Sequence, residues 1–158
     1  MRYFEKISFE QFSKDISNDK DLYESYNVPK RSTKESAGYD FESLFDFVLK
    51  PGEIKKIPLG IKVCMNSGEV LLLVVRSSMG FKYNVRMCNQ VGVIDKDYFN
   101  NIDNEGHMFI KLENQGDKDY IVSKGDKICQ GIFVNFLTVD NEEKIEKIRT
   151  NGIGSTGK

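Results

Sequence analysis

The chain has 158 residues, and its 23 Lys and Arg residues nearly balance its 24 Asp and Glu residues, which leaves a formal net charge of −1 at pH 7. This length is typical of one domain with a substantial core. The balanced charge excludes a general nucleic-acid binder, because such proteins present an excess of basic side chains to the phosphate backbone. The longest apolar run, Val70–Val75, is far too short to cross a bilayer, and the first residues lack the apolar segment of a secretory signal.

Histidine and cysteine are scarce. His107 is the one histidine, which excludes zinc and iron sites built from several histidines. The three cysteines, Cys64, Cys88 and Cys129, form no Cys-x-x-Cys pair, and their odd number indicates reduced thiols in a reducing compartment. We therefore expect a soluble, cytoplasmic protein without a membrane partner, whose chemistry depends on carboxylates, hydroxyls, arginines and backbone amides.

The first quarter of the chain has a helical pattern. Ser8 and Gln11 have the spacing of a capping box, and Phe9, Phe12 and Ile16 follow near helical spacing. This pattern predicts a short helix over about 8–25, packed on the outside of the domain. The polar residues after Val28-Pro29 then read as a connector, because the residue before a proline avoids the helical region.

From Ala37 onward, short strands alternate with turn residues. We predict strands at 38–42, 45–49, 53–57, 60–65, 70–76, 108–112, 119–122 and 131–136. The apolar run within 70–76 predicts a strand buried on both faces. Because no helical patterns of 10–15 residues separate the strands, we expect an all-β sandwich or barrel rather than an α/β fold. No repeat or long linker divides the chain, so we predict a single domain over 1–158.

Two segments in the first half carry polar groups suited to chemistry. Ser36–Asp40 combines small residues with a carboxylate, and these residues alone favour a loop with an Asx cap. Arg76–Gly80 follows a strand and offers a guanidinium, two hydroxyls and backbone amides. That set is equally compatible with an anion-binding turn and with a solvated turn.

Three further segments follow. In a hairpin over Asn89–Tyr98, Asp95 and Asp97 would share one face with Tyr98 nearby. That arrangement suits a general base and a ring packed on a sugar. The residues alone nevertheless favour a purely structural hairpin. Lys124–Gln130 reads as a hairpin turn that ends in an amide among apolar neighbours. Gly152–Lys158 is rich in Gly, Ser and Thr but lacks the spacing of a phosphate-binding P-loop, so alone it reads as a flexible tail.

Together these segments read SAGYDF, RSSMGFK, NQVGVIDKDY, KGDKICQ and GIGSTG, and in that order they resemble the five motifs of the trimeric dUTPase family (deoxyuridine triphosphate nucleotidohydrolases). The resemblance runs from about Pro29 to Lys158. It implies an all-β, jelly-roll-like distorted barrel with a mobile C-terminal arm over 149–158. The helical pattern described above adds a short N-terminal helical segment within 1–28. It also implies a homotrimer in which each active site is shared between subunits and the arm closes over a neighbour's site.

The resemblance implies Mg²⁺-dependent hydrolysis of dUTP to dUMP and pyrophosphate, which limits uracil in DNA and supplies dUMP for thymidylate synthesis. Asp95 matches the general base that activates a water for attack on the α-phosphorus. Tyr98 matches the ring beneath the deoxyribose, where it leaves no room for a 2′-hydroxyl. Asp40 matches the carboxylate that reaches the magnesium shell through water. The expected substrate-binding residues are Asn89, Gly92, Val93, Ile94 and Phe109 at the base, Arg76, Ser77, Ser78 and Gln130 at the phosphates, and Arg149, Ile153, Gly154, Ser155 and Thr156 on the arm.

The chain departs from the family at several places. Ile153 stands where the family usually carries an aromatic residue that stacks on the uracil, and we hypothesise that Phe109, or else Phe99, caps the base instead. The segment after Tyr98, residues 99–106, reads as a longer hairpin tip. Residues 1–28 have no counterpart in the family, and for them we expect core packing rather than a trimer-flanking or partner-binding role.

Two alternatives remain open: a dCTP deaminase or bifunctional deaminase of the same fold, and a nucleotide-binding regulatory protein. The presence of Val93 and Ile94 at the base edge, where a deaminase needs a carboxylate, favours hydrolysis. The combination of Asp95, Tyr98, Arg76 and Gln130 argues against an inactive site. A regulatory protein partner in addition to catalysis also remains open.

Overall fold

The computed structural model describes residues 1–147, 149 and 152. Its strands are β1 (Tyr3–Lys6), β2 (Lys30–Arg31), β3 (Tyr39–Glu42), β4 (Phe47–Leu49), β5 (Ile54–Pro58), β6 (Ile61–Cys64), β7 (Glu69–Val74), β8 (Val85–Met87), β9 (Gly92–Ile94), β10 (Phe109–Asn114), β11 (Tyr120–Val122) and β12 (Lys127–Asn135). The helices are α1 (Phe9–Asp15), α2 (Lys20–Ser25) and α3 (Ser77–Tyr83), and a single 3₁₀ turn spans Lys96–Tyr98. The prediction of an all-β, jelly-roll-like fold is confirmed. No helix in this part of the chain is long and apolar enough to cross a membrane.

The largest sheet has the strand order β2-β3-β12-β7-β9, and each neighbouring pair is antiparallel. Smaller antiparallel sheets, β5-β10-β8, β4-β11 and β1-β6, pack with it around the core. Within β7, Leu71 and Leu73 are buried, whereas Val70, Leu72 and Val74 are only half-buried. The prediction that this strand is buried on both faces is therefore wrong, because only one face of the sheet turns towards the core.

The N-terminal helix is divided in two. Ser8 caps α1 by accepting a hydrogen bond from the amide of Gln11, as the capping-box spacing predicts. The predicted continuous helix is interrupted after Asp15, because Asp19 accepts a hydrogen bond from the amide of Leu22 and begins a second helix. Helix-capping side chains compete with helix continuation, which explains the break.

The N-terminal segment packs on the domain and contributes to its core through α1, whereas α2 has no buried residue. Phe12 of α1 is fully buried and stacks on Tyr26 at a centroid distance of 5.8 Å. The strand β1, which the sequence did not predict, pairs with β6, and the guanidinium of Arg2 forms a bidentate contact with the Glu69 carboxylate. Residues 1–28 are thus tied to the sheet by apolar packing and by hydrogen bonds.

Candidate functional site

A small polar cavity lies where the first, second and fourth sequence motifs meet. Its volume is about 130 Å³, and it is lined by Ser32, Ser36, Gly38, Asp40, Arg76, Ser77 and Gln130. Strand register explains the meeting: on β12, Gln130 lies opposite Asp40 of β3 on one side and Val74 of β7 on the other. Because β7 continues towards Arg76, three segments that are distant in sequence contribute to one cavity.

Asp40 is the charged centre of this cavity. Its side chain is 8% exposed, and its oxygens lie 3.1 Å from Nε of Arg76 and 3.0 Å from Nζ of Lys127. Ser32 donates a hydrogen bond to the same carboxylate. Burial by itself would raise the pKa of Asp40, but the hydrogen bonds from Ser32 and Lys127 and the two positive charges outweigh it and hold that pKa below its ordinary value. Asp40 is therefore ionised at neutral pH.

The sequence reasoning missed Lys127 and Ser32. Lys127 donates a hydrogen bond to Ser32 at 2.6 Å as well as pairing with Asp40, so the two residues reinforce one another. The available signal was a cation inside the fourth motif, three residues before Gln130, but its partner only becomes apparent when β3 and β12 pair.

Gly38 is required by the close approach of Gln130. A Cβ atom added at Gly38 would lie 2.1 Å from Oε1 of Gln130 and 3.0 Å from its Cδ atom. The absent side chain therefore leaves room for the amide to enter the cavity. The Nε2 atom of Gln130 reaches the Val75 carbonyl at 3.4 Å.

The segment after β7 forms a helix instead of the predicted turn. Arg76 stands at the N-cap of α3 in an extended conformation, and Met79 is buried beneath the helix. Arg76 and Ser78 are half-buried and Ser77 is exposed. The helix starts because Met79, three residues after Arg76, packs into the core and closes the first turn, with its amide donating to the Arg76 carbonyl.

The third motif forms a second, separate group of residues. Strand β9 is at the edge of the large sheet, so its outer backbone groups face no other strand of that sheet. Gly92 is buried against Leu73, Ile94 is half-buried, and Val93 is 59% exposed. The turn before β9 is tight, with Gln90 at a positive φ of 64°.

Phe109 and Asn89 lie together beside this turn. Both line a cleft of about 530 Å³, along with Lys56, Cys88, Ile110 and Lys111. The Phe109 ring is half-buried and carries the Lys56 ammonium 4.2 Å from its centroid. Phe99, the second aromatic candidate, instead packs edge-on against Tyr3. The structure thus brings Phe109, but not Phe99, to the same cleft as Asn89.

Asp95 and Asp97 lie on one side of the chain, as predicted, but in a different element. Asp95 directly follows β9, and Asp97 lies in the next element, a 3₁₀ turn, rather than in a hairpin strand. Arg149 bridges them, with its NH2 group 2.9 Å from Asp95 and its Nε atom 3.1 Å from Asp97. The same guanidinium lies over the Tyr98 ring, 5.7 Å from the centroid. Asp95 and Asp97 are about half exposed and line a cleft of about 750 Å³.

Tyr98 is buried, and its hydroxyl is fixed by two groups. The hydroxyl donates to the His107 carbonyl at 2.8 Å and accepts from the Asn104 amide at 2.8 Å. Burial raises the pKa of Tyr98, so the hydroxyl remains protonated at neutral pH. His107 and Asn104 were not among the predicted site residues, because Asn104 lies in the longer hairpin tip and His107 directly follows it, outside every motif.

The two groups of residues lie at opposite ends of β7. Ile94, next to Asp95, is opposite Leu71, whereas Arg76 follows five residues after Leu71. At about 3.3 Å per extended residue, the separation along the strand is roughly 17 Å. We call the cavity around Asp40 the phosphate half and the region of Asn89–Tyr98 and Phe109 the base half, after the roles that the resemblance implies for them. In the described part of the chain, the two halves line separate cavities.

Part of the predicted arm lies outside the described residues, namely Ile153, Gly154, Ser155 and Thr156. Of the arm, Arg149 contacts the base half of its own chain, and the amide of Gly152 donates to Asp103 at 3.2 Å. In the described part of the chain, no group of three His, Cys, Asp or Glu side chains could hold a metal ion.

Comparison with known proteins agrees with the geometry. The dUTPase family model matches residues 24–157. A deoxyuridine 5'-triphosphate nucleotidohydrolase of Lactococcus lactis is 52% identical over 132 residues, which is 83% of this chain and 88% of the relative. One of Nitrosospira multiformis is 34% identical over 139 residues, which is 83% of this chain and 89% of the relative.

Solved structures agree as well. The dUTPase of Streptococcus mutans superposes with a TM-score of 0.70 at 38% identity, covering 87% of this chain and 98% of that one. The D95N mutant of the dUTPase of phage phi11 of S. aureus, described with a structural Mg(II) ion, superposes with a TM-score of 0.67 at 22% identity. The superposition covers 93% of this chain and 97% of that one, and it concerns the fold alone. Since the family model covers all but the first 23 residues and the last, and the Lactococcus lactis relative is 52% identical over 83% of this chain, the chain belongs to the dUTPase family.

Proposed function

We propose that this protein hydrolyses dUTP to dUMP and pyrophosphate, which limits uracil in DNA and supplies dUMP for thymidylate synthesis. The observation that carries the proposal is the phosphate half, where an ionised Asp40 orients Arg76 beside Ser77 and Gln130 in a cavity of about 130 Å³. Relatives named deoxyuridine 5'-triphosphate nucleotidohydrolase, one of them 52% identical, support the same substrate.

In the phosphate half, Arg76 supplies a guanidinium, and the hydroxyls of Ser77 and Ser78 add neutral donors. Asp40 holds Arg76 at 3.1 Å, which limits the conformational freedom that binding must otherwise remove. The Gln130 amide, placed against Gly38, adds a further donor. Charge-assisted hydrogen bonds of this kind are the strong ones, so this group suits a triphosphate.

In the base half, the outer edge of β9 offers backbone groups of Gly92, Val93 and Ile94 to the uracil. A backbone edge reads hydrogen-bond polarity, and cytosine, with the reversed pattern, would leave donors and acceptors unpaired at about 1–3 kcal/mol each. Asn89 adds a side-chain amide, and Phe109 covers the base from the shared cleft. The buried ring of Tyr98, fixed by its hydroxyl, rejects ribose by leaving no space for a 2′-hydroxyl.

Asp95 carries the chemical step. Its exposed carboxylate takes a proton from a water, the water oxygen forms a bond to the α-phosphorus, and the bond from that phosphorus to the bridging oxygen breaks. The electron pair leaves with pyrophosphate, and no covalent intermediate is needed. Arg149 pairs with Asp95 in this structure, so the triphosphate oxygens must draw the guanidinium away before the base can act. The arm residues Ile153, Gly154, Ser155 and Thr156 would then close over the bound substrate.

The residues fit a magnesium ion that is carried by the substrate rather than by a protein cage. Asp40 is ionised and borders the phosphate half, but both of its oxygens already contact cations, so it suits contact with the ion's shell through water. When bound, Mg²⁺ would neutralise charge on the triphosphate. Arg76 and Gln130 would still orient the phosphates.

We infer a homotrimer with shared active sites, and the separation of the halves supports this inference. Asp95 and Arg76 lie towards opposite ends of β7, roughly 17 Å apart along the strand, and they line separate cavities. A neighbouring subunit that presents its base half to this phosphate half completes the site, and three-fold symmetry repeats it three times.

The test is pyrophosphate release from dUTP, dCTP, dTTP and UTP in the presence of Mg²⁺, for the wild type and for Asp95→Asn. We expect release from dUTP alone, and its loss in the variant. Ammonia release from dCTP would indicate the deaminase instead. Binding of dUTP by a folded wild type without hydrolysis would indicate the regulatory protein.

A further inference from the structure

The last residue of α1, Asp15, is hydrogen-bonded to the buried His107. The Oδ2 atom of Asp15 lies 2.6 Å from Nδ1 of His107, whose side chain is fully buried. The other ring nitrogen, Nε2, accepts the backbone amide of Gly60 at 2.9 Å and therefore carries no proton. The proton is thus on Nδ1 and is donated to Asp15. Burial lowers the pKa of His107, with Asp15 opposing that effect, which agrees with a neutral ring.

His107 joins this contact to two residues of the base half. Its carbonyl accepts the Tyr98 hydroxyl at 2.8 Å, and its ring lies 4.1 Å from the Phe109 ring between centroids. A shift of His107 would therefore move the ring proposed to face the sugar and the ring proposed to cover the base. Asp15 is one hydrogen bond away from the residue that holds both.

The helix α1 holds the hairpin tip at both of its ends. At its start, the amide and the hydroxyl of Ser8 donate to the Glu105 carboxylate. At its end, Asp15 contacts His107, directly after the hairpin tip, and Gln11 donates to Asp15 at 2.9 Å. Gln11 and Asp15 line a cavity of about 280 Å³ together with Lys56, Asp103, Asn104 and Phe109. The N-terminal helix therefore forms one wall beside Phe109.

We propose that Asp15, acting through His107, is a positioning residue that holds Tyr98 and Phe109 and so makes the preference for deoxyribose over ribose depend on the N-terminal helix. The inference rests on the proposed hydrolysis of dUTP. Rejection of one extra hydroxyl by a clash requires the Tyr98 ring to stay in place, since a ring that can retreat admits the 2′-hydroxyl.

The experiment compares kcat/KM for dUTP with kcat/KM for UTP in the wild type, Asp15→Ala, Asp15→Asn and Glu10→Ala. Glu10 is the matched control, because it lies on the same helix with its side chain 81% exposed. We expect Asp15→Ala to reduce the dUTP-to-UTP ratio at least about tenfold. Asp15→Asn keeps an oxygen that accepts the Nδ1 proton and should restore most of the ratio, and Glu10→Ala should leave it unchanged.

A folded Asp15→Ala protein that loses activity on both nucleotides by the same factor, or keeps the wild-type ratio, would overturn the proposal. If Asp15→Ala does not fold, Gln11→Leu removes the amide that holds Asp15, and a wild-type ratio in that variant would overturn it too. A wild type that releases no pyrophosphate from dUTP would instead refute the proposed function, so the two failures are distinguishable.

Discussion

The separation of the phosphate half from the base half predicts that two inactive variants restore each other. Arg76→Ala breaks the phosphate half, and Asp95→Asn breaks the base half, at the two ends of β7. These ends are roughly 17 Å apart, and in the proposed homotrimer each working site combines halves from different chains. Each variant alone carries one broken half in every site and should be inactive.

A mixture recovers activity to a calculable extent. The two variants are unfolded, mixed in equal amounts and refolded. One site in two then receives an intact phosphate half, and one in two of those sites also receives an intact base half. Random assembly of trimers therefore predicts about a quarter of the wild-type rate. The matched control mixes Arg76→Ala with Gln130→Ala, which damage the same half and should recover nothing.

The assay is pyrophosphate release from dUTP, together with native mass spectrometry of a tagged and an untagged variant to count mixed trimers. If mixed trimers form and no activity appears, both halves act within one chain, and the reasoning from the length of β7 is wrong.

Three further predictions concern single residues. Gly38→Ala should force the Gln130 amide out of the cavity, because the added Cβ atom would lie 2.1 Å from its oxygen. The loss of a hydrogen bond to a charged phosphate should lower kcat/KM about 10- to 150-fold. The control Gly80→Ala should leave kcat/KM unchanged, because the added atom meets nothing within 4 Å. Phe12→Ala should lower the free energy of unfolding by about 3–5 kcal/mol in urea titrations, since the ring is fully buried, and a loss below about 1 kcal/mol would show that the N-terminal segment is not part of the core. Hydrogen bonds from the Arg2 guanidinium are the main cause that lowers the pKa of Glu69 to about 2. The contribution of Glu69 to stability is therefore complete above its ordinary pKa of 4.5 and is lost as the pH falls towards 2. The difference in urea midpoint between the wild type and Glu69→Gln should shrink over that pH range, and a constant difference would contradict this.

Local signals predicted the elements that depend on neighbouring residues. The spacing of Ser8 and Gln11 gave the start of α1, and the turn residues around Pro51-Gly52 and Ser67-Gly68 separated strands that the structure confirms. The errors arose where packing decided the outcome. The start of α3 depended on burial of Met79, and the half-exposed face of β7 depended on which sheets packed against it.

The sequence by itself determined the family, the order of its motifs and the residue types of both half-sites, because each motif is a short run whose chemistry is legible in isolation. The tertiary structure decided which of these runs meet. Strand pairing placed Gln130 between Asp40 and β7, and the same pairing carried Asp95 to the far end of that strand. It also brought Asp15 to His107 across 92 positions of sequence. Such contacts arise from the packing of apolar faces that lie far apart along the chain, so no local pattern specifies them.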